Sequence, residues 1–465
     1  MTKTRHVIVG GGTSGLNAIT AIREYDKGDS EVVLVSGEWP YSRMVLPYYL
    51  GRSISESHVY TATAPKMASL GVQFAKSLAA ASTIASEARE VSPLVSQFVP
   101  RNATAIDTKN NRLTLDDGSL LEYDDLLIAT GSSATRPPVP GVHGANIHNL
   151  WTLDDAKAVL SEIKEGMDVA MIGAGFISFT ILNGVLKHGV KLHIIEIMPQ
   201  VLPRMVDKDG ANLVENWLTK HGVNIHTSTT LKSIEDAGGR KKLVLSKGGD
   251  LTVDLVIMGT GIQTNLGWLD GSGITLDQGV LVDDHLRSSV PNVYAAGDVA
   301  QGAELVTGNR EVHAIEPTAM EHGRIVGANM AGQDIAYRGS LLMNILDILD
   351  LNIASFGNWI EGNSDSSVLV VPRDNTYRKL IWDGDTVTGA IIMGPASSLW
   401  TTNDVGMLKG LIQSKVRLGG WKPYLHENLR DIKKAFVASH TIRQMLPITT
   451  LNHPTVPSSK VIANN

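Results

Sequence analysis

The sequence predicts an α/β protein of two nested strand–turn–helix–strand domains followed by a C-terminal α+β domain. Three observations carry this. The strand-like run His6-Val7-Ile8-Val9 leads into Gly10-Gly11-Gly12-Thr13-Ser14-Gly15 and then a helical stretch. The same order returns about 160 residues later, with Val169-Ala170-Met171-Ile172 leading into Gly173-Ala174-Gly175-Phe176-Ile177-Ser178. After Gly339 the pattern changes to strands first and helices later, as α+β domains show.

In chain order, the first turn opens a helix over Leu16–Tyr25 and a strand over Val32–Val35. Ser77–Gln97 is rich in Ala and Ser with loosely helical apolar spacing, and reads as a surface helix or a loop. Ala103–Ile106 and Arg112–Leu115 form a hairpin around Asn110-Asn111. Leu126–Ala129 is a buried strand ending at Thr130-Gly131, and the prolines 137, 138 and 140 mark a domain crossing. The second unit continues as a helix to Lys187, a strand Lys191–Ile195 and a strand Leu255–Met258 that ends at Gly259-Thr260-Gly261. Asn292–Asp298 is a strand with an acid at its carboxyl end, and Pro317 opens a helix to Met330. Strands at Ile353–Phe356, Val368–Val371, Lys379–Trp382 and Val387–Met393 precede helices Asp404–Ser414 and Asp431–Ser439. The expected division is 1–145 and 266–335 for the first domain, 146–265 for the second, 336–451 for the third, and a tail at 452–465.

At roughly 150 residues per domain, 465 residues accommodate three. Lys+Arg number 41 against 47 Asp+Glu, a net charge of −6; this argues against nucleic acid as a partner. Hydrophobic residues are 43%, enough for buried sheets. No apolar run is long enough for a membrane span, and the N-terminus lacks a signal-peptide pattern, so the expected location is cytoplasmic. Cysteine is absent. That excludes disulfides, a thiolate nucleophile, thiol–disulfide exchange and an iron–sulfur cluster held by this chain alone. No metal site is expected.

The paired glycine motifs point to dinucleotides. In such a turn the first glycine bends the chain, the second lets backbone approach a pyrophosphate, and the third lets helix and strand pack closely. The helix N-terminus presents free N–H groups to the phosphates. An acid at the end of the following strand accepts from ribose hydroxyls. Glu38 is the candidate in the first unit and Glu196, directly after Ile194-Ile195, in the second. A carboxylate there repels a 2′-phosphate, favouring NAD over NADP.

With those motifs, Ala129-Thr130-Gly131-Ser132, Gly259-Thr260-Gly261, Tyr294-Ala295-Ala296-Gly297-Asp298 and Glu316–Arg324, the chain resembles the pyridine nucleotide–disulfide oxidoreductase family. The resemblance implies two nested Rossmann-like domains, the first for FAD and the second for NAD(H). It implies FAD contacts at Gly10, Gly12, Thr13, Ser14, Gly15, Glu38, Arg43, Ala103, Ala129, Thr130, Gly131, Gly297, Asp298, Pro317 and Thr318. NAD contacts are implied at Gly173, Gly175, Phe176, Ile177, Ser178, Glu196 and Gly261. Asp298 would bind the ribityl chain, and the helix starting near Glu316 would face the flavin pyrimidine. His313 and Glu316 are candidates for proton relay.

Three departures stand out. Met44 falls about where thiol-using members place a redox Cys, in Tyr41-Ser42-Arg43-Met44, so the chain is closer to the Cys-free branch of nitrite reductase flavin regions and rubredoxin or ferredoxin reductases. Ser178 replaces the third glycine, which predicts mild crowding of helix on strand. Thr180 replaces a Glu that lies near the nicotinamide in the family.

The expected function is electron exchange between NAD(H) and an iron–sulfur or other electron-transfer protein, in the manner of phenylglyoxylate-type 2-oxoacid oxidoreductases. A stand-alone NADH oxidase or small-molecule reductase, and a non-catalytic flavin-bearing subunit, are the alternatives. The basic residues Lys415, Arg417, Lys422, Lys433, Lys434 and Arg443 could steer an acidic partner. A homodimer through the C-terminal domain is a further option.

Overall fold

The computed structural model describes residues 3–75, 98–359 and 365–441. The Ser77–Gln97 segment and the tail at 452–465 lie outside them. The first sheet is parallel, in the order Val293–Ala295, Asp125–Ile128, Arg5–Val9, Glu31–Val35, Val72–Phe74. Its strands are short, apolar runs buried on both faces, as crossover helices require. The strand at 293–295 returns to this sheet from the far side of the second domain. The helices Thr13–Asp26 and Glu316–Met330 touch backbone to backbone. A Cβ at Gly323 would lie 2.2 Å from the Ser14 carbonyl oxygen, and one at Gly327 2.3 Å from that of Ala18. That contact lays the start of the first helix against the middle of the second, with the Thr13 hydroxyl reaching Glu316 at 3.0 Å.

The second sheet repeats the design with Asn224–His226, Lys191–Ile195, Asp168–Ile172, Leu255–Met258 and Ile147–Asn149, all parallel. The two chain crossings pair with each other, Ser132–Ala134 running antiparallel to Ile262–Thr264. Thr260 and Thr135 exchange side-chain bonds to each other's carbonyls, and the Asn265 amide donates to the Thr130 carbonyl.

The third domain is a five-stranded antiparallel sheet: Met343–Ile348, Leu351–Gly357, Thr386–Pro395, Thr376–Asp383, Asp365–Val371. Strand alternation sorts its side chains. Ala390 and Ile392 face a core shared with the C-terminal helices. Ile391 and Met393 face a core shared with the second domain. Asp207 caps the helix Lys208–Lys220 and accepts from the Tyr377 hydroxyl and Lys379 ammonium, each at 2.7 Å. The fully buried Arg378–Asp404 ion pair ties the sheet to the helix Leu399–Ser414. The sequence reading missed the edge strand Met343–Ile348, where the adjacent Ile345-Leu346 pair breaks the alternation, and the short helix Trp421–Glu427, where Pro423 sits within the first turn.

Candidate active site

A cavity of about 950 Å³ opens where the three domains meet. Gly10–Ser14, Glu38 and Arg43 line one part, Ala103 and Ala129–Ser133 another, and Gly297, Asp298 and Ala314–Pro317 a third. Across from them stand Phe176, Ile177, Thr180 and Ile181 of the second domain with Met343 and Ile345 of the third.

The glycines of the first turn differ in what surrounds them. At Gly10, φ is +114° and a Cβ would fall 2.1 Å from the Ala129 carbonyl oxygen. At Gly15 a Cβ would fall 2.1 Å from the Gly10 carbonyl oxygen, so this residue serves packing and is not on the cavity wall. At Gly12 a Cβ would meet nothing within 4 Å. Gly12 is the N-cap of the helix and makes no side-chain cap bond, so no cap side chain covers the first N–H groups, and Thr13 and Ser14, which carry them, line the cavity. That is the cradle a pyrophosphate requires, and the cavity is large enough for a dinucleotide.

Charged groups around the cavity are held from behind. The Glu38 carboxylate accepts from the Tyr41 hydroxyl at 2.9 Å and faces Arg43 at 3.4 Å. Arg43 donates to the Ser132 carbonyl at 3.1 Å and lies over the Trp151 ring, 5.1 Å from its centroid. Trp151 donates to the same carbonyl at 2.7 Å. Asp298 accepts from the Ser132 hydroxyl at 2.6 Å. Burial pushes its carboxyl above the ordinary range, while Ser132 and the Arg43 charge favour ionisation. Glu316 accepts from the hydroxyls of Thr13, at 3.0 Å, and Ser42, at 2.6 Å. Pro317 lies on the wall; Thr318 is buried behind it.

In the second turn, Gly175 again caps its helix without a side-chain bond, and a Cβ there meets nothing within 4 Å. Gly173 lies close under Gly259, where a Cβ would fall 2.4 Å from the carbonyl oxygen. The residues fit a second dinucleotide. Glu196 is buried and accepts from the amides of Ala174, at 2.6 Å, and Met198, at 2.7 Å. This locks the acid to the turn it follows. Ser178 does not crowd the helix as expected: Gly259 makes room, since a Cβ on Gly259 would sit 2.0 Å from the Ser178 hydroxyl. Gly173, Gly175, Ser178, Glu196 and Gly261 stand off the cavity wall, whereas Phe176 and Ile177 form part of it.

His313 is buried and absent from the wall, although its chain neighbours Ala314 and Ile315 are on it. Its Nε2 lies 3.6 Å from Glu311, which is likewise not on the wall. Of the two relay candidates, only Glu316 reaches the cavity. Sequence reasoning missed Trp151 as a wall residue, and also Met343 and Ile345, which come from a distant domain with no local motif.

The family model for pyridine nucleotide-disulphide oxidoreductases matches residues 4–320, and that of the rubredoxin NAD+ reductase C-terminal domain matches 343–415. The chain belongs to the pyridine nucleotide-disulphide oxidoreductase family. It is 30% identical over 423 residues to the NADH-dependent phenylglyoxylate dehydrogenase subunit epsilon of Aromatoleum evansii, covering 89% of this chain and 93% of that one. It is 28% identical over 311 residues to the NADH-rubredoxin oxidoreductase of Clostridium acetobutylicum, covering 67% and 75%. Putidaredoxin reductase, solved in covalent complex with putidaredoxin, shares the fold with a TM-score of 0.79 at 20% identity, covering 95% of this chain and all of that one.

The protein is thus an NAD(H)-dependent flavin oxidoreductase whose cofactors are FAD and NAD(H). Within this family it works without a redox-active cysteine, having none. Met44, at the position of interest, lines the cavity and is half exposed; a thioether forms no sulfenate and no disulfide. No helix among the described residues is long and apolar enough to cross a membrane.

Proposed function

We propose that this chain is the flavoprotein component that carries electrons between NAD(H) and an iron–sulfur protein, within a multisubunit 2-oxoacid oxidoreductase of the phenylglyoxylate type. The supporting observation is the match to a phenylglyoxylate dehydrogenase subunit over nearly the full length of both chains. Lacking cysteine, the chain supplies no second carrier of its own. FAD, when bound, would supply a centre that exchanges hydride with a nicotinamide on one side and single electrons on the other.

In this reading residues 1–145 and 266–335 form the FAD domain, 146–265 the NAD domain and 336–451 the interface domain. The turn at Gly10–Gly12 and the N–H groups of Thr13 and Ser14 bind the FAD pyrophosphate. Glu38 accepts from the adenosine ribose, and Arg43, braced on Trp151, adds positive charge nearby. Asp298, held by Ser132, binds the ribityl chain. The helix N-terminus at Glu316 and Pro317 stabilises negative charge on the flavin pyrimidine. The turn at Gly173–Gly175 binds the NAD pyrophosphate, and Glu196 accepts from its ribose. Apolar walls from Phe176, Ile177, Ile181, Met343 and Ile345 keep water from the hydride path.

Within the basic cluster Arg417 pairs with Asp385, Lys422 with Asp365 and Lys434 with Asp431, while Lys415 and Lys433 are exposed. Arg443 lies outside the described residues, so the positive charge offered to an acidic partner rests on Lys415 and Lys433. The test is purification of the native protein without oxygen, with its partners identified by mass spectrometry. An iron–sulfur protein and further oxidoreductase subunits should co-purify. A protein that arrives alone and reduces oxygen or a quinone rapidly with NADH would replace this reading with a stand-alone oxidase.

A further inference from the structure

The helix Glu316–Met330 buries one histidine that nothing above uses. His322 is 2% exposed and sits one turn and a half into the helix, behind the cavity wall. Its Nδ1 accepts from the Gly297 backbone N–H at 3.3 Å. Since Nδ1 accepts, the proton is on Nε2, which donates to the Ser340 hydroxyl at 3.3 Å. Tyr337 closes the pocket with its ring edge-on to the imidazole, 4.8 Å between centroids.

What the imidazole holds is a single peptide unit. The Ala296–Gly297 peptide has its carbonyl bonded by the Ser14 hydroxyl at 3.3 Å and its N–H bonded by His322. Gly297 has φ +77°, and a Cβ there would lie 2.7 Å from the Ser14 hydroxyl oxygen. The backbone is therefore in a conformation few residues adopt, and a glycine is free to leave it. Gly297 and the adjoining Asp298 both face the cavity. Fixing the peptide at both ends fixes the direction from which the Asp298 side chain enters the cavity. An uncharged ring serves this purpose, because only the neutral form offers an acceptor at Nδ1. Burial pushes His322 down to about 3, with the neighbouring His313 adding to the effect. The acceptor therefore persists across the physiological range.

We infer that His322 is a positioning residue for the cofactor site, acting through the Gly297 peptide to aim Asp298 into the cavity. This rests on the reading of Asp298 as a cofactor contact. His322 itself touches neither cavity nor cofactor.

The test compares three variants by the rate at which FAD leaves the holoprotein, followed by flavin fluorescence after dilution into FAD-free buffer. His322→Asn keeps an acceptor near the Nδ1 position and loses the Ser340 contact. His322→Gln keeps a donor toward Ser340 and loses the acceptor for Gly297. Asp298→Asn reports on the contact itself. We expect FAD release about tenfold faster for His322→Gln, within about threefold of wild type for His322→Asn, and at least tenfold faster for Asp298→Asn. The visible flavin spectrum should shift in His322→Gln as it does in Asp298→Asn. Equal release rates for His322→Gln and His322→Asn, with matching thermal shifts, would reduce His322 to a structural residue and overturn the inference. If Asp298→Asn releases FAD at the wild-type rate, the cofactor reading of Asp298 fails, and the inference falls with it.

Discussion

Gly10 and Gly12 are two positions apart and need to be glycine for opposite reasons. Gly10 is confined by protein: a positive φ and a carbonyl oxygen at 2.1 Å from any Cβ. Gly12 has ordinary backbone angles and empty space around it. Gly10→Ala should therefore cost about 2 kcal/mol or more of folding stability, since strain and overpacking act together. Gly12→Val should cost only about 1 kcal/mol, from a poorer N-cap, yet carry less than a tenth of the wild-type flavin. Urea unfolding and flavin content per chain separate the two. A stable, flavin-replete Gly12→Val protein would contradict the cradle. Both glycines were legible in the sequence because their spacing is local. Trp151 was not, since its place under Arg43 depends on two segments meeting across a domain boundary. His313 shows the converse limit. It adjoins cavity residues in sequence, but its own side chain turns into the protein, and sequence adjacency carries no information about that.

At the scale of elements, the helix Phe176–Leu186 meets the strand Leu255–Met258 through an exchanged pair. The motif position that ordinarily needs glycine holds Ser178, and the bulk is absorbed at Gly259. Ser178 is fully buried, so its hydroxyl has nowhere to retreat. Gly259→Ala should destabilise by about 1–3 kcal/mol, as overpacking does. Adding Ser178→Gly should recover most of that, giving a strongly non-additive double-mutant cycle. Additive effects in urea melts would mean the two residues do not share one space. Another joint is Asp207, which caps the helix Lys208–Lys220 and holds two residues of the C-terminal sheet. Burial works to raise its pKa, but Lys379, Tyr377 and the Gly210 amide outweigh this and hold it below the ordinary value. A depressed folded-state pKa gives stability that is complete above the unfolded pKa of about 4 and disappears as pH falls through the folded value. Asp207→Ala should lose about 2–3 kcal/mol at pH 7 by cap and ion-pair loss. The gap to wild type should narrow below about pH 4; a gap that persists undiminished at pH 2 would show that the charge is not what matters. The strands and turns around these joints were readable from short apolar runs ending in glycine. The joints themselves were not, because they pair residues far apart in the chain.

At the scale of the molecule, the third domain is part of the second domain's core. Leu346, Ile348, Leu351, Ile353, Tyr377, Ile391 and Met393 belong to the same buried cluster as Phe179, Leu182, Val185 and Leu213. Backbone and side-chain bonds reinforce the seam: Trp217 donates to the Ile348 carbonyl at 3.0 Å, and Asn183 bonds both Asp347 and the Leu349 amide. The same domain supplies Met343 and Ile345 to the cavity wall. A chain stopped after residue 335 would therefore expose the partner faces of several large apolar side chains, at about 2 kcal/mol each. That sum approaches the entire net stability of an ordinary domain, about 5–15 kcal/mol. Residues 1–335 alone should emerge aggregated or rapidly degraded by protease, even with FAD supplied. Supplying the third domain as a separate polypeptide on co-expression should restore a soluble, flavin-bearing complex. A well-folded, monomeric 1–335 fragment with wild-type flavin content, judged by gel filtration and limited proteolysis, would show that the seam is a detachable contact. The third domain would then be a docking module, free to serve a partner without bearing on the cavity.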